Sequence, residues 1–549
     1  MEKIIRYDNW YEMMTWGFSR LWVLIFACAF LVCLLSQIEN GTAKTLTVDD
    51  DGGADFDSVQ DAIDSSTDGD TVRVFDGVYF QNILVNKTLN LIGNGSASTI
   101  INGQEWGSVV TITASWVNVS GFTVTNSSWP NDGISVMSDH NTVTQMNCSG
   151  NQYRGIHLYK SNNCQITNNE CNGSSNSGIY LDQSFRNIIR DNFCNFNGGM
   201  GIFLEKSDGN VIDNNECSHQ DDSYSLSTTW GNGIRVLQSN EIIISNNLCN
   251  NNSAGIFLEN SENPIIQSNI CNNNSSPGID IRTVTNGSVL NNYCKNNGWS
   301  GIDLDYSNHI IIRDCLSIEG NASGLRIRRS SDIEIDNSTF SNNYRGMSLI
   351  VCENIIVERS VVSGNRNNSF HIWDDSKNIS IHNSSIHGEV MFLVFEVSKE
   401  HQIVNATHNN WGHDSGPYHP TNTMNGGGHE ISDYVRFEPW LDENGNVVYP
   451  PDDDPDRFPF FILLGLLIGL ITTLIIVDRN PQLLSSGKTS HNMKPTQSEQ
   501  KWDSKDIKER SGNLITCQYC QDSFEVGEKE MGIMVACTHC GENTPMNRI

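Results

Sequence analysis

Four cysteines near the C-terminus have the spacing of a metal site. They form two Cys-x₂-Cys pairs separated by sixteen residues, Cys517 with Cys520 and Cys537 with Cys540. Four thiolates arranged in this way suit tetrahedral Zn²⁺, and a shell closed by four protein ligands leaves no position for a substrate. The sequence therefore predicts a structural zinc ion. A redox role is the alternative, but the sequence lacks the βαβ pattern expected around a redox Cys-x₂-Cys motif.

Charged and aromatic residues in the middle of the chain form a second candidate site. Paired carboxylates about 5 to 9.5 Å apart can hydrolyse glycosidic bonds. The candidate catalytic residues are Asp280, Asp303, Asp305 and Arg326. Aromatic rings stack on the apolar faces of sugars. The candidate glycan-binding residues are Tyr159, Tyr180, Phe203, Trp230, Phe257, Arg282 and Arg328. The alternative is that the charges form exposed ion pairs, which contribute about 0 to 1 kcal/mol each.

A repeat of about 23 residues aligns these side chains. Its marker is a glycine followed by alternating apolar residues, as in Gly155-Ile156-His157-Leu158. The marker glycines are Gly155, Gly178, Gly201, Gly233, Gly255, Gly278, Gly301, Gly324 and Gly346. Short strands joined by turns rich in Asn, Gly and Ser, with this period and without a helical pattern, predict an all-β solenoid of stacked parallel coils.

Alternation along each marker strand assigns its two faces. We expect the Ile and Leu side chains to point inward, and the residue between them and the residue after Leu to point outward. The first outward column is then His157, Tyr180, Phe203, Arg235, Phe257, Asp280, Asp303, Arg326 and Ser348. The second is Tyr159, Asp182, Glu205, Leu237, Glu259, Arg282, Asp305, Arg328 and Ile350. One longer repeat adds a loop within residues 218–230, which we expect to overhang this face.

An Asn-x-Cys pattern marks the predicted interior of the coil. Its asparagines are Asn169, Asn192, Asn215, Asn247, Asn269 and Asn292, and a cysteine column runs from Cys148 to Cys294. Equivalent residues of successive coils stack about 4.8 Å apart, so buried amides are expected to hydrogen-bond along a ladder. The cysteines are expected to pack as small apolar residues, because disulfide formation requires Cβ atoms about 3.8 Å apart.

The two ends of the repeat region carry the resemblance to a known family. Gly69-Asp70-Thr71-Val72 and Lys87-Thr88-Leu89-Asn90-Leu91-Ile92-Gly93, followed by the marker strands, resemble the right-handed parallel β-helix proteins of the pectate-lyase-like and NosD-like groups. The segment 409–417 with Pro439-Trp440-Leu441 resembles the closing segment of that family. Residues 58–63 are expected to form a short helix that caps the first coil.

The resemblance implies a fold and leaves the function open. In this family sugar chains lie along the outward sheet, and members include lyases, hydrolases, epimerases and non-catalytic surface proteins. The association of NosD with copper is not carried over, because the histidines of the closing segment lack regular spacing. They are His401, His408, His413, His419 and His429. A structural cap is expected there.

Composition and hydrophobic stretches predict the compartment. The net charge is −30, and nearly all the excess negative charge lies between two apolar stretches, residues 21–35 and 458–477. Such a surface excludes nucleic acid as a partner of the repeat region and attracts cations such as Ca²⁺. Lysines accumulate after residue 477, which favours a cytoplasmic tail and an extracellular solenoid. Asn-x-Ser/Thr sequons, frequent up to Asn405, agree with a glycoprotein.

The predicted organisation has eight parts. They are a signal sequence or signal anchor at 1–36, an N-terminal cap with the first coils at 44–115, parallel β-helix repeats at 116–400, a C-terminal cap at 401–445, an acidic Pro/Asp linker at 446–457, a transmembrane helix at 458–477, a flexible tether at 478–513, and a tail at 514–545 that resembles a zinc ribbon. The zinc ribbon is expected to bind a cytoplasmic protein.

Three functions are compatible with these expectations. The first is a membrane-anchored, non-catalytic module that binds a glycan or a cell surface. The second is a polysaccharide lyase, epimerase or glycoside hydrolase that uses the Asp and Arg side chains of the outward sheet. The third is a structural stalk without a ligand, in which the charges only decorate the solenoid.

Overall fold

The computed structural model describes residues 42–220, 231–373, 375–388 and 403–450, together with short backbone strands between residues 395 and 544. The chain divides into two compact units, Met1–Asp453 and Asp454–Ile549. The predicted signal segment 1–36, transmembrane segment 458–477, and most of the loop at 218–230 lie outside the described residues. In the part of the chain that is described, no helix is both long and apolar enough to cross a membrane.

The first unit is a parallel β-helix with three sheets that run along its axis. Sheet 1 contains the marker strands, which pair in parallel from one coil to the next. Its strands are Ile83–Val85, Val110–Ile112, Asp132–Val136, Arg154–Tyr159, Ser177–Asp182, Met200–Glu205, Ile234–Leu237, Ile256–Glu262, Ile279–Thr285, Ile302–Asp305, Ser323–Arg328, Arg345–Ile350, Phe370–Trp373 and Phe395–Val397. The repeat therefore predicted the all-β class and the parallel coils.

Sheet 2 follows sheet 1 after a short turn in each coil and is also parallel. Its strands are Thr45–Val48, Thr71–Val74, Asn90–Gly93, Asn118–Ser120, Thr142–Thr144, Gln165–Thr167, Ile188–Arg190, Val211–Asp213, Ile243–Ser245, Ile265–Gln267, Ser288–Leu290, Asn308–Arg313, Ser331–Asp336, Glu353–Glu358, Lys377–His382, Val404–Asn405 and Val435–Arg436. The middle residue of each three-residue strand is buried, for example Ile166 and Ile189.

Sheet 3 closes each coil with the shortest strands. They are Gly77–Phe80, Thr99–Asn102 and Thr123–Thr125 at the top, and Tyr293–Lys295, Leu316–Ile318, Thr339–Ser341, Val361–Ser363 and Ser385–His387 at the bottom. Between these groups, parallel bridges continue the sheet one residue at a time through Asn147, Glu170, Phe193, Glu216, Leu248 and Ile270. The coil is thus continuous, although its third side is narrow in the middle.

Both ends of the solenoid are covered. The helix Val59–Ser65 lies at the N-terminal end, and the Ser58 side chain accepts a hydrogen bond from the amide of Asp61 at its start. Its Val59, Ala62 and Ile63 are buried in the first coils. At the other end Trp411 and Trp440 are fully buried, and the strands Trp440–Leu441 and Val447–Val448 form an antiparallel pair. Strand edges that would otherwise invite aggregation are covered in this way.

The predicted amide ladder is present in the interior. The Nδ2 of Asn169 donates to the Oδ1 of Asn192 at 3.0 Å, and Asn192 donates in the same way to Asn215 at 2.9 Å. The ladder continues through Asn247, Asn269 and Asn292. Each amide also donates to a backbone carbonyl, such as that of Ile189 for Asn215, at 2.9 Å. Buried polar groups in this column are therefore paired.

A second amide ladder supports the turn between sheet 3 and sheet 1. The Oδ1 of Asn252 accepts from the amide of Gln220 at 3.0 Å, and the Oδ1 of Asn274 accepts from the amide of Asn252 at 2.9 Å. The side chain of Asn252 donates to the backbone carbonyl of Cys217, which belongs to the interior cysteine column. The sequence analysis missed this ladder, because its residues lie among many other asparagines.

The interior cysteines are thiols. All ten cysteines in the described residues are buried, and none of them forms a disulfide bond, including those from Cys148 to Cys294. Burial raises the pKa of Cys164 to about 11 and that of Cys315 to about 12, which keeps both thiols protonated. The prediction that these cysteines pack in the core and form no disulfides is confirmed for this part of the chain.

The second unit contains two hairpins. Asn513–Thr516 pairs with Ser523–Val526, and Val535–Ala536 pairs with Asn543–Thr544, both antiparallel. The sequence predicts one hairpin from residues 524–526 and 533–535, between the two Cys-x₂-Cys pairs, and this prediction is wrong. Residues 523–526 pair instead with the strand before the first Cys-x₂-Cys, and Val535 pairs with Thr544. In sequence, each Cys-x₂-Cys pair lies between the two strands of one hairpin. The four cysteines themselves lie outside the described residues.

Candidate functional site

The outward residues of sheet 1 stand in register along the solenoid. Pairing aligns Leu84 with Thr111 and Ser135, and then with the predicted column from His157 onward. From there the column follows the predicted order, Tyr180, Phe203, Arg235, Phe257, Asp280, Asp303, Arg326 and Ser348. The structure therefore brings the candidate residues onto one face, and it extends that face by three coils at the top.

Most of this first column is covered by its own members. Phe257 is 2% exposed, Tyr180 7% and Arg235 9%. Equivalent side chains about 4.8 Å apart stack on each other, and here the ring centroids of His157 and Tyr180 are 5.0 Å apart and those of Tyr180 and Phe203 4.9 Å. Tyr180 and Phe257 consequently do not present an open ring face, whereas Phe203 remains partly exposed.

A cluster of aromatic and charged side chains lies at the upper end of the column. The Oδ2 of Asp132 is 3.0 Å from the Nδ1 of His157. The guanidinium of Arg154 lies between two rings, 4.2 Å from the centroid of Tyr153 and 4.3 Å from that of Tyr180. Arg154 also reaches Asp132 at 3.5 Å. These contacts hold the cluster rigidly on three successive coils.

Stacking continues from this cluster towards the middle of the solenoid. The Arg235 guanidinium lies 5.7 Å from the ring centroid of Phe203 and 5.3 Å from that of Phe257, and Arg282 lies 4.9 Å from Phe257. The hydroxyl of Tyr180 donates to Glu205 at 2.8 Å. Burial, reinforced by this hydrogen bond to a carboxylate, raises the pKa of Tyr180. The phenol is therefore a hydrogen-bond donor at neutral pH.

The lower part of the column is a network of ion pairs. Arg282 donates twice to Asp280, at 3.1 and 2.7 Å. Arg326 forms a forked pair with Asp303, and Arg328 lies 3.2 Å from Asp305. The four candidate catalytic residues thus lie together. Each of the three carboxylates is engaged by a guanidinium, a geometry that favours binding and rigidity over proton transfer.

The Asp280 carboxyl lies in an unfavourable place for a charge. Burial raises its pKa, the hydrogen bonds from Arg282 oppose that rise, and the neighbouring Asp303 adds to it. Both Asp280 and Asp303 are almost fully buried, at 3% and 1% exposure. Their reactive atoms are therefore shielded by the arginines that lie over them.

Exposed aromatic rings line one edge of the sheet 1 face. They lie in the turn that precedes each sheet 1 strand, where Trp106 is 78% and Trp129 70% exposed. The half-buried Tyr153 follows on the next coil, with its ring centroid 6.3 Å from that of Trp129. Further along the same edge, Trp299 lies 4.8 Å from the Arg326 guanidinium and Tyr344 5.2 Å from that of Arg345.

This aromatic edge was not recognised from the sequence, although a signal was present. Tyr153, Trp299 and Tyr344 each stand two residues before a marker glycine. The sequence analysis considered only Trp230 in these turns, and Trp230 lies outside the described residues. Tyr159 is half-buried, 6.1 Å from the His157 ring. Arg282 and Arg328, in the second outward column, remain partly accessible.

No metal site is visible in residues 42–450 as far as they are described. Within them, no three His, Cys, Asp or Glu side chains are placed to hold a metal ion. His387 and His429 both have lowered pKa values because of burial, and His429 adds to the effect on His387. His419 instead lies 3.2 Å from Asp433. His401 lies outside the described residues.

Comparison with known proteins supports the fold. The family model described as "Right handed beta helix region" matches residues 132–263 and 232–386, which agrees with the predicted right-handed parallel β-helix. A "Cell surface glycoprotein" of Methanothermus fervidus is 39% identical over 106 residues, which is 18% of this chain and 18% of that protein. The matched part is therefore a small fraction of this relative.

Two of the solved structures with a similar fold are of enzymes named for polysaccharide substrates. A mannuronic acid specific polysaccharide family 6 lyase from human gut microbiota is 12% identical, with a TM-score of 0.41 over 66% of this chain and 89% of that one. The A-module of a mannuronan C-5 epimerase from Azotobacter vinelandii is 14% identical, with a TM-score of 0.36 over 61% and 91%. At these scores the likenesses carry no argument about activity or substrate.

Proposed function

We propose that this β-helix is a cell-surface protein that binds an extended glycan along the outward face of sheet 1 without altering it. The observation that carries the proposal is the edge of exposed aromatic rings beside a rigid column of paired charges. Trp106, Trp129 and Tyr153 stand on three successive coils, so one extended polymer can contact all three. Rings offer apolar faces to sugars, and the charged groups offer donors and acceptors to hydroxyl groups.

The binding role is preferred to catalysis because the candidate catalytic groups are already engaged. Asp280, Asp303 and Asp305 each accept from a guanidinium, and buried paired charges are costly to separate. A lyase, epimerase or glycoside hydrolase remains the alternative. It is favoured by the contact between His157 and Asp132, which resembles a base oriented by a carboxylate. A stalk without a ligand is the second alternative.

The surface location has two supports. The matching segment of the Methanothermus fervidus protein belongs to a cell surface glycoprotein, and the two apolar stretches with the following lysines favour an anchored ectodomain outside and a tail inside. In this proposal residues 458–477 cross the membrane. Ca²⁺ bound by the acidic ectodomain is part of the same proposal, as a diffuse counterion.

The glycan proposal is tested by removing one exposed ring. In the Trp129→Ala variant, retention of the full-length protein on an insoluble polysaccharide should fall about tenfold, because one ring-to-sugar contact contributes about 1.4 kcal/mol. The matched control is Trp116→Ala, since Trp116 is equally exposed but stacks on His140 in a different turn. Neutral and acidic polysaccharides are compared with and without Ca²⁺.

The same assay separates the three functions. New reducing or unsaturated chain ends that disappear in a His157→Gln variant would place the protein among the enzymes. Retention without new ends supports the binding module. Equal retention of the Trp129→Ala and unaltered proteins would show that the aromatic edge is not part of the binding site. If no polymer retained the protein, the structural stalk without a ligand would be the remaining function.

We also propose that Cys517, Cys520, Cys537 and Cys540 hold one structural Zn²⁺ and that the resulting ribbon binds a cytoplasmic protein. The supporting observation is that the strands before and after each Cys-x₂-Cys pair in the sequence are paired with each other. So small a unit has little apolar core, and metal binding contributes most of its folding free energy. When bound, the ion supplies cross-linking of the two hairpins and no chemistry on a substrate.

Zinc analysis tests this assignment directly. The purified full-length protein should contain one zinc per chain, and a Cys517→Ser, Cys520→Ser double variant should contain none, because two thiolates cannot retain a structural ion. A Thr538→Ala variant, altered inside the second pair but not at a ligand, should keep its zinc. Full zinc content in the double variant would contradict the ligand set.

A further inference from the structure

A cavity of about 410 Å³ lies away from the sheet 1 face, in the turn between sheet 2 and sheet 3. It runs along four coils, from Asn168 to Leu248. In each coil one residue with a left-handed backbone makes the turn, with φ of 56° at Asn168, 57° at Asp191 and 54° at Asn214. The chain bends sharply at these residues, and the stacked bends form a concave wall.

Two apolar side chains line the cavity, with Glu216 on the coil between them. The Phe193 side chain is 49% exposed, and Leu248 lies two coils below it among the bridges of sheet 3. A half-exposed phenyl ring in a concave site has an open face for a flat apolar partner. The cavity volume falls within the range of about 300 to 1,000 Å³ that is typical of sites for small ligands.

The rim of the cavity is polar and held in place. The Asn214 side chain donates to Asp191 at 2.6 Å, and the Asn195 side chain donates to Glu216 at 3.1 Å. A carboxylate has about four acceptor sites, so each of these groups retains capacity for further donors. Because the side chains are already ordered by these contacts, binding costs little additional conformational entropy.

The charge of the lining selects the class of ligand. None of the nine lining residues is Lys or Arg, and two are carboxylates, which disfavours phosphates, uronates and other anions. A metal ion is disfavoured because no group of three ligating side chains is present among the described residues. An exposed ring flanked by amides and carboxylates suits a molecule with one apolar face and many hydroxyl donors.

We infer that this cavity is a second carbohydrate site, separate from the sheet 1 face, that binds a neutral oligosaccharide. A sugar ring stacks on Phe193, and its hydroxyl groups donate to Asp191 and Glu216. The cavity belongs to other sheets and other side chains than the aromatic edge, so this inference stands independently of the proposed function. A protein with both sites can hold a polymer on one face and a neutral glycan on another.

The test uses the full-length protein and three probes, maltotriose, cellotriose and mannotriose. Binding of at least one probe is followed by saturation-transfer NMR and by titration calorimetry. The Phe193→Ala variant should bind that probe at least tenfold more weakly. Phe196→Ala is the control, because Phe196 is an exposed ring on the same coil, 63% exposed against 49% for Phe193, that stacks on His219 outside the cavity.

The outcomes distinguish the two carbohydrate sites. Loss of binding in Phe193→Ala, with unchanged binding in Phe196→Ala and Trp129→Ala, supports the cavity. Loss in Trp129→Ala alone assigns the probe to the sheet 1 face and overturns the inference while leaving the proposed function intact. No binding of any probe at millimolar concentration also overturns it. A thermal melt of each variant shows whether a loss arises from unfolding.

Discussion

The Asn215→Ala variant is expected to lose about 3 kcal/mol or more of the stability of the solenoid. Asn215 is a central member of the interior amide ladder. Its Oδ1 accepts from the amide of Asn192 at 3.0 Å and from the Asn192 side chain, and its Nδ2 donates to Asn247 at 3.0 Å. Each buried group left without a partner costs about 1 to 3 kcal/mol.

The stability of a repeat protein has to be measured both for the whole chain and for individual coils. Coils contact mainly their neighbours, so unfolding of a long array need not be a single transition. We therefore expect both a lower melting temperature and faster hydrogen exchange at the coils on either side of Asn215. The control is Gln165→Ala, which alters an exposed polar residue on a strand of sheet 2. Similar melting and exchange in the two variants would contradict the role of the ladder.

The Gly233→Ala variant is expected to melt at a clearly lower temperature than the unaltered protein and to give a lower soluble yield. A Cβ atom at Gly233 would lie 2.6 Å from the carbonyl oxygen of Gly255, 2.8 Å from that of Cys217 and 2.9 Å from the Asn252 amide nitrogen. Two of these atoms belong to the backbone and the third to the second amide ladder, so none can move aside cheaply. Overpacking of this kind costs about 1 to 3 kcal/mol and occasionally more.

A substitution at a second glycine, Gly173, distinguishes the effect of a steric clash from that of backbone strain. Gly173 has a φ of +63°, and no atom lies within 4 Å of a Cβ placed there. The Gly173→Ala variant should therefore lose only the cost of a left-handed alanine, about 1 to 2 kcal/mol. Soluble yield and melting temperature are compared for both variants. If Gly233→Ala melted no lower than Gly173→Ala, close contact between coils would not be the reason for the marker glycine.

The period of the sequence predicted which residues share a column but not how far each is exposed. Alternation correctly placed Tyr180, Phe257 and Asp280 on the outward side of sheet 1. It did not predict that they would be covered, because alternation gives the direction of a side chain and contains no information on its neighbours. Because equivalent side chains stack about 4.8 Å apart, each ring or guanidinium group in the column is covered by those of the coils above and below it.

The accessible part of the candidate site lies in turns, where the sequence signal is weak. Trp106 and Trp129 have no marker glycine at the usual distance, since the first coils differ in length from the later ones. The cavity beside Phe193 was likewise not predictable, because it depends on the backbone bends of four consecutive coils. To predict either feature, one must know the three-dimensional path of the turns. The core ladders can be predicted from the period of the sequence alone.

The number of thiols that react with a reagent reports how many coils of this solenoid are open at the same time. Each coil from Cys148 to Cys294 contributes one column thiol, and Cys164 adds a second thiol to its coil; a reagent reaches these buried thiols only when the coil opens. Brief exposure to an alkylating reagent, followed by mass spectrometry of the intact chain, therefore yields a distribution of mass steps whose number equals the thiols exposed together. Well-separated steps would mean that the array frays coil by coil, and a single jump would mean that it opens as one block.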